Sequence, residues 1–140
     1  MSAENYVLVS VLAAALPVLI YIGLIYWVDH YEKEPVWLLS AAFVWGAIPA
    51  ALLALFFNTL FYALLSESTA ELISGGAIAP VVEEFVKGLA LFLILIIQRN
   101  ELDSPLDGII YGAMVGMGFA MVENVLYYTT YFNESGALGW

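Results

Sequence analysis

Cysteine is absent from this sequence of 140 residues, histidine occurs once, and lysine and arginine together number three. The missing cysteine excludes a disulfide framework, a thiolate metal site and a cysteine nucleophile, and it leaves the redox compartment unreadable. So few basic residues exclude a nucleic-acid partner, because phosphate recognition rests on lysine and arginine. Charge is scarce overall: 11% of residues are charged, against about a quarter in soluble domains. Residues 1–5 lack the basic stretch of a cleavable signal peptide. The apolar run that follows is therefore read as a retained membrane helix.

What fills the chain is apolar. Hydrophobic residues make up 64% of it and the mean hydropathy is +0.94, as expected when lipid is the main solvent. The expected fold is all-α: a polytopic integral membrane protein with about four transmembrane helices in a single domain over residues 1–140. A crossing needs about 20 apolar residues, and four stretches supply them: 6–28, 36–65, 77–97 and 107–132. Pro17 is expected to kink the first, and Pro49 to bend the long second. The connections, 29–35, 66–76 and 98–105, are short, so successive helices are antiparallel neighbours. Tyr26, Trp27, Trp37, Tyr127, Tyr128 and Tyr131 gather near helix ends, where amphipathic rings favour the membrane interface. Lys33 and Arg99 lie in the first and third connections, while the second carries Glu67 and Glu71. The positive-inside tendency then puts both chain ends outside.

The informative residues are charges inside the third and fourth helices. Each costs roughly 2.5–3.5 kcal/mol at mid-membrane on an insertion scale, so such groups face the bundle interior and serve a function. The third helix carries Glu83, Glu84 and Lys87; the fourth carries Glu123 and Asn124. Pro80 suits a first helical turn, which places the glutamate pair near the start of the third span. Glu123 lies about 16 residues beyond Asp107, roughly 24 Å along the fourth span. Because these spans are antiparallel, the three acids are expected at similar depth. Gly108, Gly112 and Gly116, continued by Ala120, form a small-residue row of the kind that admits a neighbouring backbone. Glu123 falls within about 20° of that row. Glu83 and Lys87, four apart, are expected to pair, while Glu84 is turned about 100° away. A carboxylate in a partly dry site is what a general base for activating water requires. A metal ion could also take carboxylate ligands, although zinc usually recruits histidine as well. His30 lies in the first connection, on the opposite face from the glutamates, and is rejected as their partner. Residues 29–35 read as a solvated loop, and Asp107 as a helix cap or dipole partner.

Three blocks resemble the PrsW family of bacterial membrane proteases, related to the CAAX-protease and bacteriocin-processing superfamily. They are Tyr31-Glu32-Lys33-Glu34-Pro35, then Ala79-Pro80-Val81-Val82-Glu83-Glu84-Phe85-Val86-Lys87, and finally the run from Asp107-Gly108 through Tyr111, Gly112, Gly116, Gly118-Phe119-Ala120 and Glu123-Asn124 to Tyr127. The resemblance implies peptide-bond hydrolysis within or beside the membrane by an intramembrane endopeptidase of the plasma membrane. Its substrate would be a membrane-anchored regulatory protein such as an anti-sigma factor. It implies Glu83 and Glu84 as catalytic acids anchored by Lys87, with Glu123 and Asn124 completing the polar cluster as ligand and as orienting or oxyanion donor. A divalent metal such as zinc, held by Glu84 and Glu123, is one form the chemistry takes; glutamate acting alone is the other. The superfamily also carries a histidine on a later membrane helix. That histidine is absent here, so the chain reads as the N-terminal part of a longer protease domain or as a degenerate relative.

Two readings from other classes use the same residues. A proton- or cation-coupled transporter could bind its ion on the buried carboxylates. A non-catalytic assembly protein could use the glycine row as its interface.

Overall fold

The computed structural model of the chain describes residues 3–28, 33–65 and 74–135. Its elements are α1 (Ala3–Val28), α2 (Val36–Trp45), a π-helical turn (Gly46–Ala50), α3 (Ala51–Leu64), a second π-helical segment (Ser74–Ile78), α4 (Ala79–Ile97) and α5 (Pro105–Ser135). There is no strand among the described residues. Among the described residues, three helical stretches are long and apolar enough to cross a membrane: Asn5–Val28, Val36–Leu64 and Pro105–Tyr131. The stretch expected as a fourth span forms α4, 19 residues long, but with Glu83, Glu84 and Lys87 in it this helix is not among those apolar enough to cross. The chain is a polytopic all-α membrane protein. The acidic residues of the second connection, Glu67 and Glu71, lie outside the described residues, as do Asp29–Glu32 with His30.

Local chemistry explains the element boundaries. Pro49 sits inside the π-helical turn between α2 and α3. Proline has no N–H, and its ring crowds the carbonyl four residues back. Widening the helix by one residue relieves that crowding without ending the span. At α1, by contrast, helical structure is continuous through Pro17. Helix α5 opens with a capping box. Ser104 Oγ accepts the Asp107 N–H at 3.2 Å, and the Asp107 carboxylate accepts the Ser104 N–H at 2.7 Å. Pro105 occupies the first helical position, where no N–H is needed. Asp107 is therefore the reciprocal partner in the box, three residues inside, and Ser104 is the cap.

The chain divides into two compact units, Met1–Lys33 with Ala120–Trp140, and Glu34–Phe119. In the first, α1 turns Ser10, Ala14 and Val18 inward, one residue per turn. The Ser10 hydroxyl donates to the Tyr6 carbonyl of its own helix at 2.8 Å, so its burial leaves no polar group unmet. Lys33 lies 4.9 Å from the centre of the Tyr26 ring.

In the second unit the packing seam runs along small residues. Ala42, Gly46, Ala50 and Ala54 are buried at intervals of four on α2, the π-helical turn and α3. On α4 the inward positions are Val86, Ala90 and Ile94. On α5 they are Asp107, Ile110, Tyr111, Met114, Val115, Gly118 and Phe119, a repeat of three and four. Neighbouring backbone comes close at both Gly46 and Gly118. A methyl group on Gly46 would overlap the Val115 carbonyl oxygen and come 3.0 Å from the Phe119 nitrogen. One on Gly118 would overlap the Phe43 carbonyl oxygen. Lipid gives helices little hydrophobic reason to associate, so such close packing is a main source of cohesion.

This corrects the expected role of the glycine row. Among the described residues, a methyl on Gly108 or Gly116 would meet nothing within 4 Å, and one on Gly112 only Leu91 Cδ1 at 3.7 Å. Gly118 lies about 200° around the helix from Gly116. The seam thus uses the glycine off the row, and the row flanks it.

Candidate active site

Helix α4 presents the acidic motif in its second turn. Lys87 bridges both glutamates, with Nζ 2.8 Å from Glu84 Oε1 and 3.8 Å from Glu83 Oε2. The sequence pointed to Glu83 as the partner; the structure adds Glu84 as the nearer one. Spacings of three and four both bring side chains together on a helix, so one ammonium serves two carboxylates about 100° apart. The two acids differ in environment. The side chain of Glu83 is 25% exposed and that of Glu84 is 76% exposed, with Lys87 between them at 19%.

Two neighbouring elements hold this turn in place. From α2, the Trp45 indole Nε1 donates to the Val86 carbonyl at 3.0 Å. That bond clamps the backbone immediately before Lys87. From α5, the Phe119 ring lies under Lys87, 4.2 Å from Nζ to the ring centre. Val86 and Phe119 belong to one buried cluster with Ala50 and Ala54, and Trp45 packs against it. The motif therefore rests on the apolar core of the Glu34–Phe119 unit.

Of the five residues proposed from sequence, the structure brings Glu83, Glu84 and Lys87 together. Glu123 and Asn124 lie in the other compact unit and are partly buried there. Among the described residues, no group of three or more His, Cys, Asp or Glu is arranged to hold a metal ion. Glu84 could contribute one carboxylate, but it is engaged by Lys87. The described residues thus do not by themselves make a metal site, and no chemical step is derived through one.

Sequence reasoning missed a second polar cluster. Glu34, read as part of a solvated loop, is buried at 8% exposure, and the fully enclosed Tyr111 hydroxyl donates to its Oε2. Asp107 lies beside them, receiving the Ser104 hydroxyl at 2.6 Å and the Asp103 N–H at 3.1 Å. The available signal was that Glu34 directly precedes a proline and an apolar run, a position that can fold back onto a helix start. A third polar group went unremarked: Asn58, in an otherwise apolar stretch of α3, has an enclosed Oδ1 with no hydrogen-bond partner among the described residues.

The model of one protein family, described as PrsW family intramembrane metalloprotease, matches residues 34–140. Among curated proteins, the chain is 36% identical over 126 residues to a protein named Protease PrsW from Oceanobacillus iheyensis, covering 88% of this chain and 56% of that one. It is 37% identical over 125 residues to Protease PrsW of Clostridioides difficile, covering 89% and 51%. To Protease PrsW of Geobacillus kaustophilus it is 33% identical over 119 residues, covering 82% and 50%. The chain thus spans about half the length of the curated relatives it matches. No solved structure matches it. A family match over more than half the chain, with the Glu-Glu-x-x-Lys turn inside it, places this chain in the PrsW family of intramembrane metalloproteases.

Proposed function

We propose that this chain supplies the glutamate-bearing part of an intramembrane endopeptidase that cleaves a membrane-anchored protein. The observation that carries this reading is the Glu83–Lys87–Glu84 bridge, set on a buried core within an apolar helical bundle. Family membership supports it.

The two acids divide the work. Glu84 holds Lys87 at hydrogen-bond distance. Glu83 is the more enclosed and shares the ammonium at the longer distance, so we assign it as the base. In that role it takes a proton from water as the water oxygen bonds to the scissile carbonyl carbon. The proton then passes to the amide nitrogen as the C–N bond breaks, and the carboxylate is regenerated. Lys87 holds a compensating positive charge beside both states. Glu123 and Asn124 enter on the sequence argument alone, as metal ligand or orienting acid and as oxyanion donor. The family description speaks of a metalloprotease; a divalent metal such as zinc is part of this proposal. An anti-sigma factor as substrate and the plasma membrane as location belong to the same proposal.

The test is cleavage of a membrane-anchored substrate by the protein reconstituted in lipid. Glu83→Gln is expected to lower kcat by about 10²- to 10⁴-fold, the usual contribution of a general base. Normal cleavage by a variant with Glu83, Glu84 and Glu123 all changed to Gln would end this reading. Glutamate-dependent ion flux without cleavage would favour a carrier instead.

A further inference from the structure

We infer that Phe119 is a positioning residue whose ring seats the Lys87 ammonium between the two glutamates. The inference rests on the proposed use of Glu83 and Glu84. Three observations carry it. Lys87 Nζ lies 4.2 Å from the ring centre, well inside the range at which a cation is drawn to an aromatic face. The ring belongs to a buried side chain, 3% exposed, so it cannot swing aside. Its backbone is fixed as well, because the Phe119 nitrogen stands where a methyl on Gly46 would be only 3.0 Å away.

The seat answers a specific problem. Lys87 has two acidic neighbours, and the more exposed one, Glu84, is already at 2.8 Å. Without a third attraction the ammonium would follow Glu84 outward, leaving Glu83 without its cation. The negative face of the ring holds the ammonium inward, and the attraction strengthens where water is scarce. Trp45 completes the seat by bonding the Val86 carbonyl, one residue before Lys87. The residue that opens the Phe-x-x-x-Glu motif is thus placed beneath the lysine of the Glu-Glu-x-x-Lys motif.

The test uses the two lysines of the chain, Lys33 and Lys87. In the reconstituted protein, acetic anhydride modifies accessible amines, and mass spectrometry gives the ratio of Lys87 to Lys33 labelling. Phe119→Leu keeps an apolar side chain but removes the ring, and the ratio is expected to rise about three-fold or more. Phe119→Tyr keeps the ring and should match the wild type. In the cleavage assay Phe119→Leu should lower kcat with KM unchanged, and Phe119→Tyr should restore it. An unchanged labelling ratio in Phe119→Leu, or equal changes in both variants, overturns the inference. If the leucine variant does not assemble, Phe119→Met carries the same comparison. Labelling needs no turnover, so it decides the seat even if glutamate-independent cleavage removes the proposed function.

Discussion

The hydroxyl of Tyr111, fully enclosed on α5, donates a hydrogen bond to the carboxylate of Glu34, 77 positions earlier in the chain. This contact joins the start of α2 to the first turns of α5. It also joins the first and third of the sequence blocks that carry the family resemblance. Changing Tyr111 to Phe leaves a buried carboxylate short of its donor. The expected cost is about 1.5–3 kcal/mol, the range for hydrogen bonds to charged groups. It should appear as a lower thermal midpoint in detergent, larger than that of an exposed control such as Tyr127→Phe. Equal midpoints for Tyr111→Phe and wild type would show that the contact contributes nothing.

The glycine seam makes a paired prediction. Gly118→Ala puts a methyl against the Phe43 carbonyl oxygen, which backbone cannot yield without parting the helices. A loss of about 1–3 kcal/mol is expected, typical of overpacking. Gly116→Ala meets nothing within 4 Å among the described residues and should be neutral, or gain about 0.5–1 kcal/mol from the helix propensity of alanine. Comparing the two by thermal unfolding reads the seam directly. The opposite order would restore the regular glycine row as the contact surface.

The cap of α5 should behave as a local device. Ser104→Ala removes the hydroxyl that bonds both the Asp107 N–H and its carboxylate. About 0.5–2 kcal/mol of stability should be lost. Hydrogen exchange should rise at the first turn of α5 and stay unchanged at α4. Uniform exchange changes along the chain would mean that Ser104 does more than cap.

Trp45→Phe keeps an aromatic body but removes the indole donor to Val86. About 1 kcal/mol should be lost, the usual net value of such a bond. Because Val86 adjoins Lys87, labelling of Lys87 should also increase. Loss of stability with Lys87 labelling unchanged would make Trp45 a packing residue only.

Much of this protein was legible from its residues. The scarcity of charge and the long apolar runs required helices in lipid, because only helices or closed barrels satisfy backbone groups there. Pro49 marked the irregular turn, and Pro80 the start of α4. The costly charges Glu83, Glu84 and Lys87 marked a polar cluster on one helix. Spacing along that helix dictated that Lys87 would find a glutamate, since neighbours three and four apart share a face whatever surrounds them.

Tertiary structure decided the rest, because the remaining questions concern which faces meet. Periodicity selected the row Gly108, Gly112 and Gly116, yet the backbones approach at Gly46 and Gly118. A glycine permits close approach wherever it lies, and only the crossing point of two helices chooses among them. The same holds for Glu34, which reads as loop until Tyr111 is found opposite it. It holds again for Phe119, apolar by sequence and a cation's seat in space. Composition and local spacing determined the helices and the charges they carry. The pairing of surfaces distant in sequence determined what those charges touch, because that choice depends on shape complementarity between faces that no single segment contains.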